Sequence, residues 1–196
     1  MRLAGKKVGV ALTGSFCTIP EVLPEIEKVV AEGASVYPIL SEKVATQNTR
    51  FGRAADIARR LEQMTGREPI CTIQEVEPLG PGKVLDALVI APCTGNTLAK
   101  LACGVTDGPV LMAAKSTLRN QRPVILGIST NDALGANARN LGILLNTKHI
   151  YMIPFGQDAP ETKPASLVSD MRLMVDTIVE ALEARQIQPL IVDRRR

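Results

Sequence analysis

A chain of 196 residues, of which 45% are hydrophobic and 3% aromatic, can bury one core of aliphatic side chains. The formal net charge of +3, from 23 basic and 20 acidic residues, is too balanced for a nucleic-acid-binding surface. The basic excess gathers in a tail at residues 194–196, which we expect to be solvated. From the length of the chain we predict a single domain over residues 1–196.

The cysteines and the single histidine do not predict a metal site. The four cysteines have no CxxC spacing, and His149 cannot complete a Cys/His zinc set of known spacing. The amino-terminal residues show no signal-peptide cleavage pattern, and no apolar stretch approaches the roughly 18 residues of a membrane span. We therefore expect a cytoplasmic protein that does not contact membranes.

Short apolar runs alternate with amphipathic helical patterns along the chain. The predicted elements in chain order are strand 8–13, a helix from its cap at Thr18 to about Gly33, strand 35–40, helix 54–65 closed by Gly66, an extended segment 70–73, strand 85–90, helices 98–103 and 107–120, strand 123–128, a helix from Ala133 to about Leu145 capped by Asn131 and Asp132, strand 150–153, and a C-terminal helix at about 166–185. This alternation predicts a doubly wound α/β fold of Rossmann-like type, with a mainly parallel sheet and helices on both faces.

Small polar residues follow three of the predicted strands, at residues 13–16, 94–97 and 129–131. The carboxyl ends of parallel strands meet at one edge of a sheet, where ligands bind, so the three turns could converge on one ligand. The second turn leads into a helix whose free N–H groups favour an anion. Neither G-x-G-x-x-G nor G-x-x-x-x-G-K-[ST] is present, which argues against a classical dinucleotide site and a P-loop.

Together, residues 13–15, Ser41 and residues 91–100 resemble the flavin-binding elements of the flavoprotein family that includes phosphopantothenoylcysteine decarboxylase, the lantibiotic cysteine decarboxylases and flavin prenyltransferase. In that family the first turn and a Pro-x-Ser/Thr-x-x-Thr turn hold the phosphate and ribityl groups of FMN, and the end of the next strand lies near the isoalloxazine ring. The resemblance covers most of the chain and implies FMN as a cofactor. It assigns FMN binding to Gly14, Ser15, Phe16, Ser41, Thr94, Gly95, Asn96, Thr97 and Thr130.

One member of the family resembles this chain in particular. The similar segments are residues 127–135 and 144–158, and also residues 49–52 and 163–167. That member is one half of a two-component oxidoreductase from endospore-forming bacteria. The resemblance implies oxidation of a small cyclic dicarboxylate, with NADP bound to an NAD(P)-binding partner chain, in the mother cell of a sporulating bacterium. Because the family forms trimers and higher assemblies, the resemblance also implies a homo-oligomer.

Two features of the family's decarboxylases are missing. Residues 129–132 replace their Pro-x-Met-Asn element, and no histidine precedes His149. Thr130 stands where flavin prenyltransferase has an arginine. Cysteinyl decarboxylation and prenyl transfer are therefore disfavoured. Two alternatives stay open, namely an independent FMN-dependent decarboxylase or oxidoreductase, and a non-catalytic assembly component with a vestigial flavin pocket.

A dicarboxylate substrate requires cations, because a guanidinium matches a carboxylate in geometry and charge. Arg50 and Arg53, in the polar loop after the second strand, are the candidates, together with Asn96, whose amide can both donate and accept. We expect His149 to be structural because it precedes a strand at the end opposite the site, and Cys93 to be a small packing residue. The sequence assigns no catalytic residue.

Overall fold

Seven strands form one sheet within residues 1–194, the part of the chain that the computed structural model describes. Arg195 and Arg196 of the expected basic tail lie outside the described residues. The strands are β1 (Lys7–Leu12), β2 (Ser35–Leu40), β3 (Ala87–Cys93), β4 (Val124–Thr130), β5 (Ile150–Met152), β6 (Phe155–Gly156) and β7 (Leu167–Ser169).

The sheet has the strand order β2-β1-β3-β4-β7-β6. Strands β1 to β4 are parallel neighbours, with Val8 opposite both Val36 and Ala87. The amino-terminal half of β4 also pairs in parallel with β5, whereas its last residues pair with β7 in the antiparallel direction. The prediction of a mainly parallel sheet is confirmed, and a short antiparallel ribbon of β7 and β6 is added at one edge.

Helices cover both faces of the sheet. They are α1 (Ile19–Ala31), α2 (Glu42–Thr46), α3 (Ala54–Thr65), α4 (Ile73–Val76), α5 (Gly95–Ala102), α6 (Pro109–Arg119), α7 (Ala138–Leu145) and α8 (Met174–Leu182), with short 3-10 helices at Glu77–Leu79 and Met171–Leu173. Alternate side chains of a strand point to opposite faces. Val10 and Val89 therefore pack with α1, α3 and α8, while Leu88 and Ile90 pack with α5, α6 and α7. This arrangement confirms the predicted doubly wound fold.

Two local predictions for the loops are wrong. The helix expected from Ala133 begins at Ala138, because the Asp132 carboxylate accepts hydrogen bonds from the Thr130 hydroxyl and the Asn137 amide and so stabilises a turn. The segment expected to be extended at 70–73 pairs with the sheet only at Ile70. Thr72 then caps α4 through a reciprocal capping box.

The C-terminal helix is shorter than the predicted 166–185. Its first predicted turns are instead strand β7 and a 3-10 helix, and α8 begins at Met174. The Ser169 hydroxyl explains the strand, since it accepts from the Ile128 N–H at 2.8 Å and donates to the Ile153 carbonyl at 3.0 Å. A side chain that bridges two other backbone segments fixes β7 against the sheet.

Arg194, expected in a solvated tail, is buried instead. Only 8% of its side chain is exposed, and it forms ion pairs with Glu21 and Asp170. The segment before it pairs with β6, where Val192 donates to the Phe155 carbonyl at 3.0 Å. The approach is so close that a Cβ on Gly156 would collide with the Val192 carbonyl oxygen.

No helix in residues 1–194 combines the length and the apolar character that crossing a bilayer requires.

Candidate functional site

The Thr13 hydroxyl fixes the turn that follows β3. It donates to the Pro92 carbonyl at 2.6 Å and accepts from the Thr94 N–H at 3.0 Å. The Thr94 hydroxyl in turn accepts from the Thr97 N–H at 3.3 Å and thereby caps α5. The helix start is thus held at the carboxyl edge of the sheet by contacts to two strands.

Three hydroxyl groups join the turn after β1 to the end of β4. The Ser129 Oγ lies 2.8 Å from both the Ser15 Oγ and the Thr18 Oγ1, and the latter two atoms are 3.2 Å apart. Thr18 stands at the predicted cap position of α1, but its side chain makes no capping hydrogen bond and bonds to Ser129 instead. The turns after β1 and β4 therefore converge, as expected from parallel strands that end at one edge.

Gly95 packs directly against a polar cluster at the end of β4. A Cβ at this position would lie 2.6 to 2.7 Å from polar atoms of Thr130, Asp132 and Asn137. The Asp132 carboxylate accepts from both of the other two side chains. Gly95 is consequently required for close packing of α5 on this cluster, whatever ligand binds nearby.

The first of two cavities at this edge, which we term the Ser41 cavity, has a volume of about 740 Å³. Gly14, Ser41, Thr94, Asn96 and Thr97 line it. The Ser41 Oγ is buried and has no hydrogen-bond partner in the described chain, and the exposed Asn96 amide makes no side-chain hydrogen bond to residues 1–194. A buried hydroxyl without a partner is costly unless a ligand satisfies it.

The second cavity, the Arg194 cavity, has a volume of about 510 Å³ and shares Gly14 and Thr94 with the first. Ser15, Gly95, Ser129, Thr130, Asp132 and Arg194 are among the residues that line it. The residues assigned to FMN by resemblance are therefore divided, with Ser41, Asn96 and Thr97 in one cavity and Ser15, Gly95 and Thr130 in the other. Phe16 packs against the core instead.

Arg50 and Arg53 are not brought to either cavity in the described structure. Both are exposed; Arg50 stacks on Phe51 at 4.8 Å from the ring centroid, and Arg53 precedes α3 at its N-cap position. The guanidinium that sequence reasoning missed is that of Arg194, which lines the second cavity together with the Lys163 ammonium group. No local pattern marks it, because its position depends on the pairing of the terminal segment with β6.

Cys93 and His149 have the structural positions expected from the sequence. Burial raises the pKa of the Cys93 thiol to about 12, so the thiolate is negligible near neutral pH. His149 precedes β5, at the amino end of the strand, and no histidine of residues 1–194 lines the Ser41 or Arg194 cavity. Within that range, no group of three or more His, Cys, Asp or Glu side chains could hold a metal ion.

The doubly wound fold, with small polar turns at the strand ends, is that of the flavoprotein class. The chain belongs to the flavoprotein family, whose family model matches residues 2–183. It is 54% identical to the B subunit of dipicolinate synthase of Bacillus subtilis (strain 168) over 97% of this chain and 96% of that protein. This similarity and the family match confirm the resemblance that the motifs indicated.

Solved structures agree with this assignment. The crystal structure of the B subunit of dipicolinate synthase from Bacillus halodurans C matches with a TM-score of 0.92 and 48% identity, covering 99% of this chain and 100% of that chain. A dodecameric FMN-dependent UbiX-like decarboxylase from Escherichia coli O157:H7 matches with a TM-score of 0.60 and 18% identity, covering 93% of this chain and 96% of that chain. The second likeness supports the fold alone.

Proposed function

We propose that this chain acts as the B subunit of a dipicolinate synthase. In this proposal it works with the NADP-binding A subunit of that enzyme to oxidise dihydrodipicolinate to dipicolinate, in the cytoplasm of the mother cell of a sporulating bacterium. The observation that carries the proposal is 54% identity across nearly the full length of both this chain and the Bacillus subtilis protein.

We further propose that FMN binds in the Ser41 cavity, and the residues present fit it. The unpartnered Ser41 hydroxyl, the free Asn96 amide and the start of α5 supply donors for a phosphate or ribityl oxygen. Gly14, Thr94 and Thr97 complete this wall. When bound, FMN supplies a ring that can accept and return a hydride.

The role of this chain's own residues is to position the ligands. Oxidation to an aromatic dicarboxylate is downhill, so the main requirement is to hold the dihydropyridine close to its acceptor. The two cavities meet at Gly14 and Thr94, which would place a substrate in one beside a cofactor in the other.

We include self-association in the proposal, since Leu134, Leu145 and Ile191 are exposed apolar side chains around one groove.

A second candidate is a non-catalytic assembly component that stabilises the NADP-binding partner. The observation that favours it is the lack of a histidine in either cavity over residues 1–194, together with the burial of Cys93. An independent FMN-dependent decarboxylase or oxidoreductase is the third candidate, and its test is whether the chain acts without a partner.

Reconstitution separates these candidates. NADPH formation from dihydrodipicolinate is measured with this chain alone, with the NADP-binding partner alone, and with both. We expect activity only from the mixture. We expect the double variant Ser41→Ala, Asn96→Ala to lower it by more than about 10-fold, since a single lost hydrogen bond to a charged group already has an effect of that size. Full activity of the double variant would favour the assembly role. Activity of this chain alone would favour an independent enzyme.

A further inference from the structure

Arg194 reaches the second cavity because the terminal segment docks on β6. The Phe155 N–H donates to the Leu190 carbonyl at 3.0 Å, and the Val192 N–H donates back to the Phe155 carbonyl at 3.0 Å. This pairing carries the chain from the edge of the sheet across to the strand ends. The side chain of Arg194 then lies among the residues that line the cavity, with 8% of its surface exposed.

The buried Arg194 guanidinium is held by ion pairs but not by close hydrogen bonds. Its nitrogens lie 3.6 Å from a Glu21 oxygen and 3.5 Å from an Asp170 oxygen. The Asp170 carboxylate instead accepts two hydrogen bonds from Arg172, from its Nε at 2.8 Å and its Nη2 at 2.6 Å. The Arg194 Nε is buried and has no hydrogen-bond partner in the described chain. A guanidinium in this condition has donors to offer to another carboxylate.

The opposite wall of the cavity supplies further hydroxyl groups. Ser15, Thr18 and Ser129 line it, and their three hydroxyls are linked to one another at 2.8 to 3.2 Å, so a ligand carboxylate would receive a hydrogen bond when one hydroxyl rotates out of this ring.

Three acidic residues and a second cation, Lys163, also line the cavity, and each of these carboxylates already has partners. Glu21 pairs with Arg194, Asp132 accepts from Thr130 and Asn137, and Asp158 accepts from the Ser166 hydroxyl at 2.9 Å and lies 3.9 Å from the Lys163 Nζ.

From these contacts we infer that the Arg194 cavity binds a carboxylate group of the dicarboxylate substrate, with Arg194 as its cation and Ser15 and Ser129 as neighbouring donors. The inference rests on the proposed function, because it takes the dicarboxylate from there. It transfers to Arg194 the role expected of Arg50 and Arg53. It also separates the substrate from FMN by the shared wall of Gly14 and Thr94.

The test is calorimetric titration of the full-length chain with pyridine-2,6-dicarboxylate. We expect saturable binding that Arg194→Gln weakens at least about 10-fold, since a charged hydrogen-bonding partner is lost. Arg194→Lys keeps the charge and the ion pairs but lacks the planar pair of N–H donors of a guanidinium. We therefore expect its affinity for the dicarboxylate to lie between those of the unchanged protein and Arg194→Gln. Arg59→Gln, on the exposed face of α3, is the matched control and should bind as the unchanged protein does. Thermal unfolding establishes that each variant is folded.

Gly156→Ala tests the same site without changing the arginine. The new Cβ would collide with the Val192 carbonyl oxygen and displace the terminal segment, so a folded variant should lose dicarboxylate binding to about the same extent as Arg194→Gln. FMN affinity should be unchanged in both variants, because Arg194 does not line the Ser41 cavity.

Two results would overturn the inference, namely no saturable binding by the unchanged chain, or equal binding by folded Arg194→Gln. Either result leaves the proposed function standing if the mixture with the NADP-binding partner still oxidises dihydrodipicolinate, because the substrate would then bind to the partner. An inactive mixture would count against the proposed function itself.

Discussion

The backbone N–H of Thr94 donates to the hydroxyl of Thr13 at 3.0 Å, and this bond joins the carboxyl ends of β3 and β1. The same hydroxyl donates to the Pro92 carbonyl. Thr13→Val preserves the shape of the side chain but leaves both backbone groups without a partner. We expect it to lower the free energy of unfolding by about 1–3 kcal/mol. Urea denaturation measures this, with Thr13→Ser as the control that keeps the hydroxyl. Equal stability of Thr13→Val and the unchanged protein would contradict the assigned role.

Gly95 and Gly142 are both helical glycines, but we expect replacement by alanine to change the stability of the protein in opposite directions. Gly95→Ala would drive a Cβ into the Thr130 and Asp132 side chains, so we expect a loss of about 1–3 kcal/mol. Gly142→Ala meets nothing within 4 Å and should stabilise α7 by about 0.5–1 kcal/mol. Thermal or urea unfolding of the two variants gives the comparison. A stabilising Gly95→Ala would show that α5 does not pack as closely as described.

The four cysteines should differ sharply in their reaction with a thiol reagent. Cys17 and Cys103 are exposed and should be labelled first. Burial and the nearby Glu75 raise the pKa of the half-buried Cys71, so it should react more slowly. Cys93, whose pKa burial raises to about 12, should react only after unfolding. Cys93→Ser should leave unchanged the number of thiols that react rapidly in the folded protein. A smaller number of rapidly reacting thiols in this variant would show that Cys93 is not buried.

Asp170 should contribute stability that depends on pH. Hydrogen bonds from Arg172, aided by the charge of Arg194, hold the pKa of the Asp170 carboxyl below its ordinary value of 3.8. Because the folded-state pKa is lowered, the stabilisation is present above that ordinary value and is lost as the pH falls through the folded pKa. Asp170→Asn should therefore be less stable than the unchanged protein at pH 7, and the difference should shrink in acid.

The control for this pH dependence is Asp56→Asn, which removes an exposed ion pair with Arg59 and should change stability little at either pH. Urea denaturation curves at neutral and acidic pH give the comparison. A stability difference for Asp170→Asn that stays constant into acid would contradict the ion-pair account.

Elements with a local signal can be predicted from the sequence. Helix α3 has its predicted bounds, because Gly66 ends it in the left-handed conformation at φ 67°, and strand β2 matches its prediction residue for residue. Strand β7 cannot be predicted in this way. The apolar residues Leu167, Met171 and Met174 also fit a helical spacing, and only the contacts of Ser169 with two distant backbone groups favour the strand.

The candidate site, too, can be predicted from the sequence only in part. Residues 13–15 and 94–97 can be placed at one edge, since a change from apolar to small polar residues marks the end of each strand. The division into two cavities that share Gly14 and Thr94, and the packing of Gly95 against the cluster of Asp132, are tertiary features that no motif encodes. Arg194 lies in the site through tertiary pairing alone, and a run of arginines at a chain end otherwise indicates a solvated tail.

Titration of the purified full-length chain with FMN, followed by its visible absorption, tests the central claim most directly. We predict saturable binding that Ser41→Ala weakens about 10-fold while the stability of the FMN-free protein is unchanged or slightly increased, because that hydroxyl has no partner in the described chain. Arg194→Gln should bind FMN as the unchanged protein does. Absence of saturable binding, or equal affinity in folded Ser41→Ala, would contradict an FMN site in the Ser41 cavity.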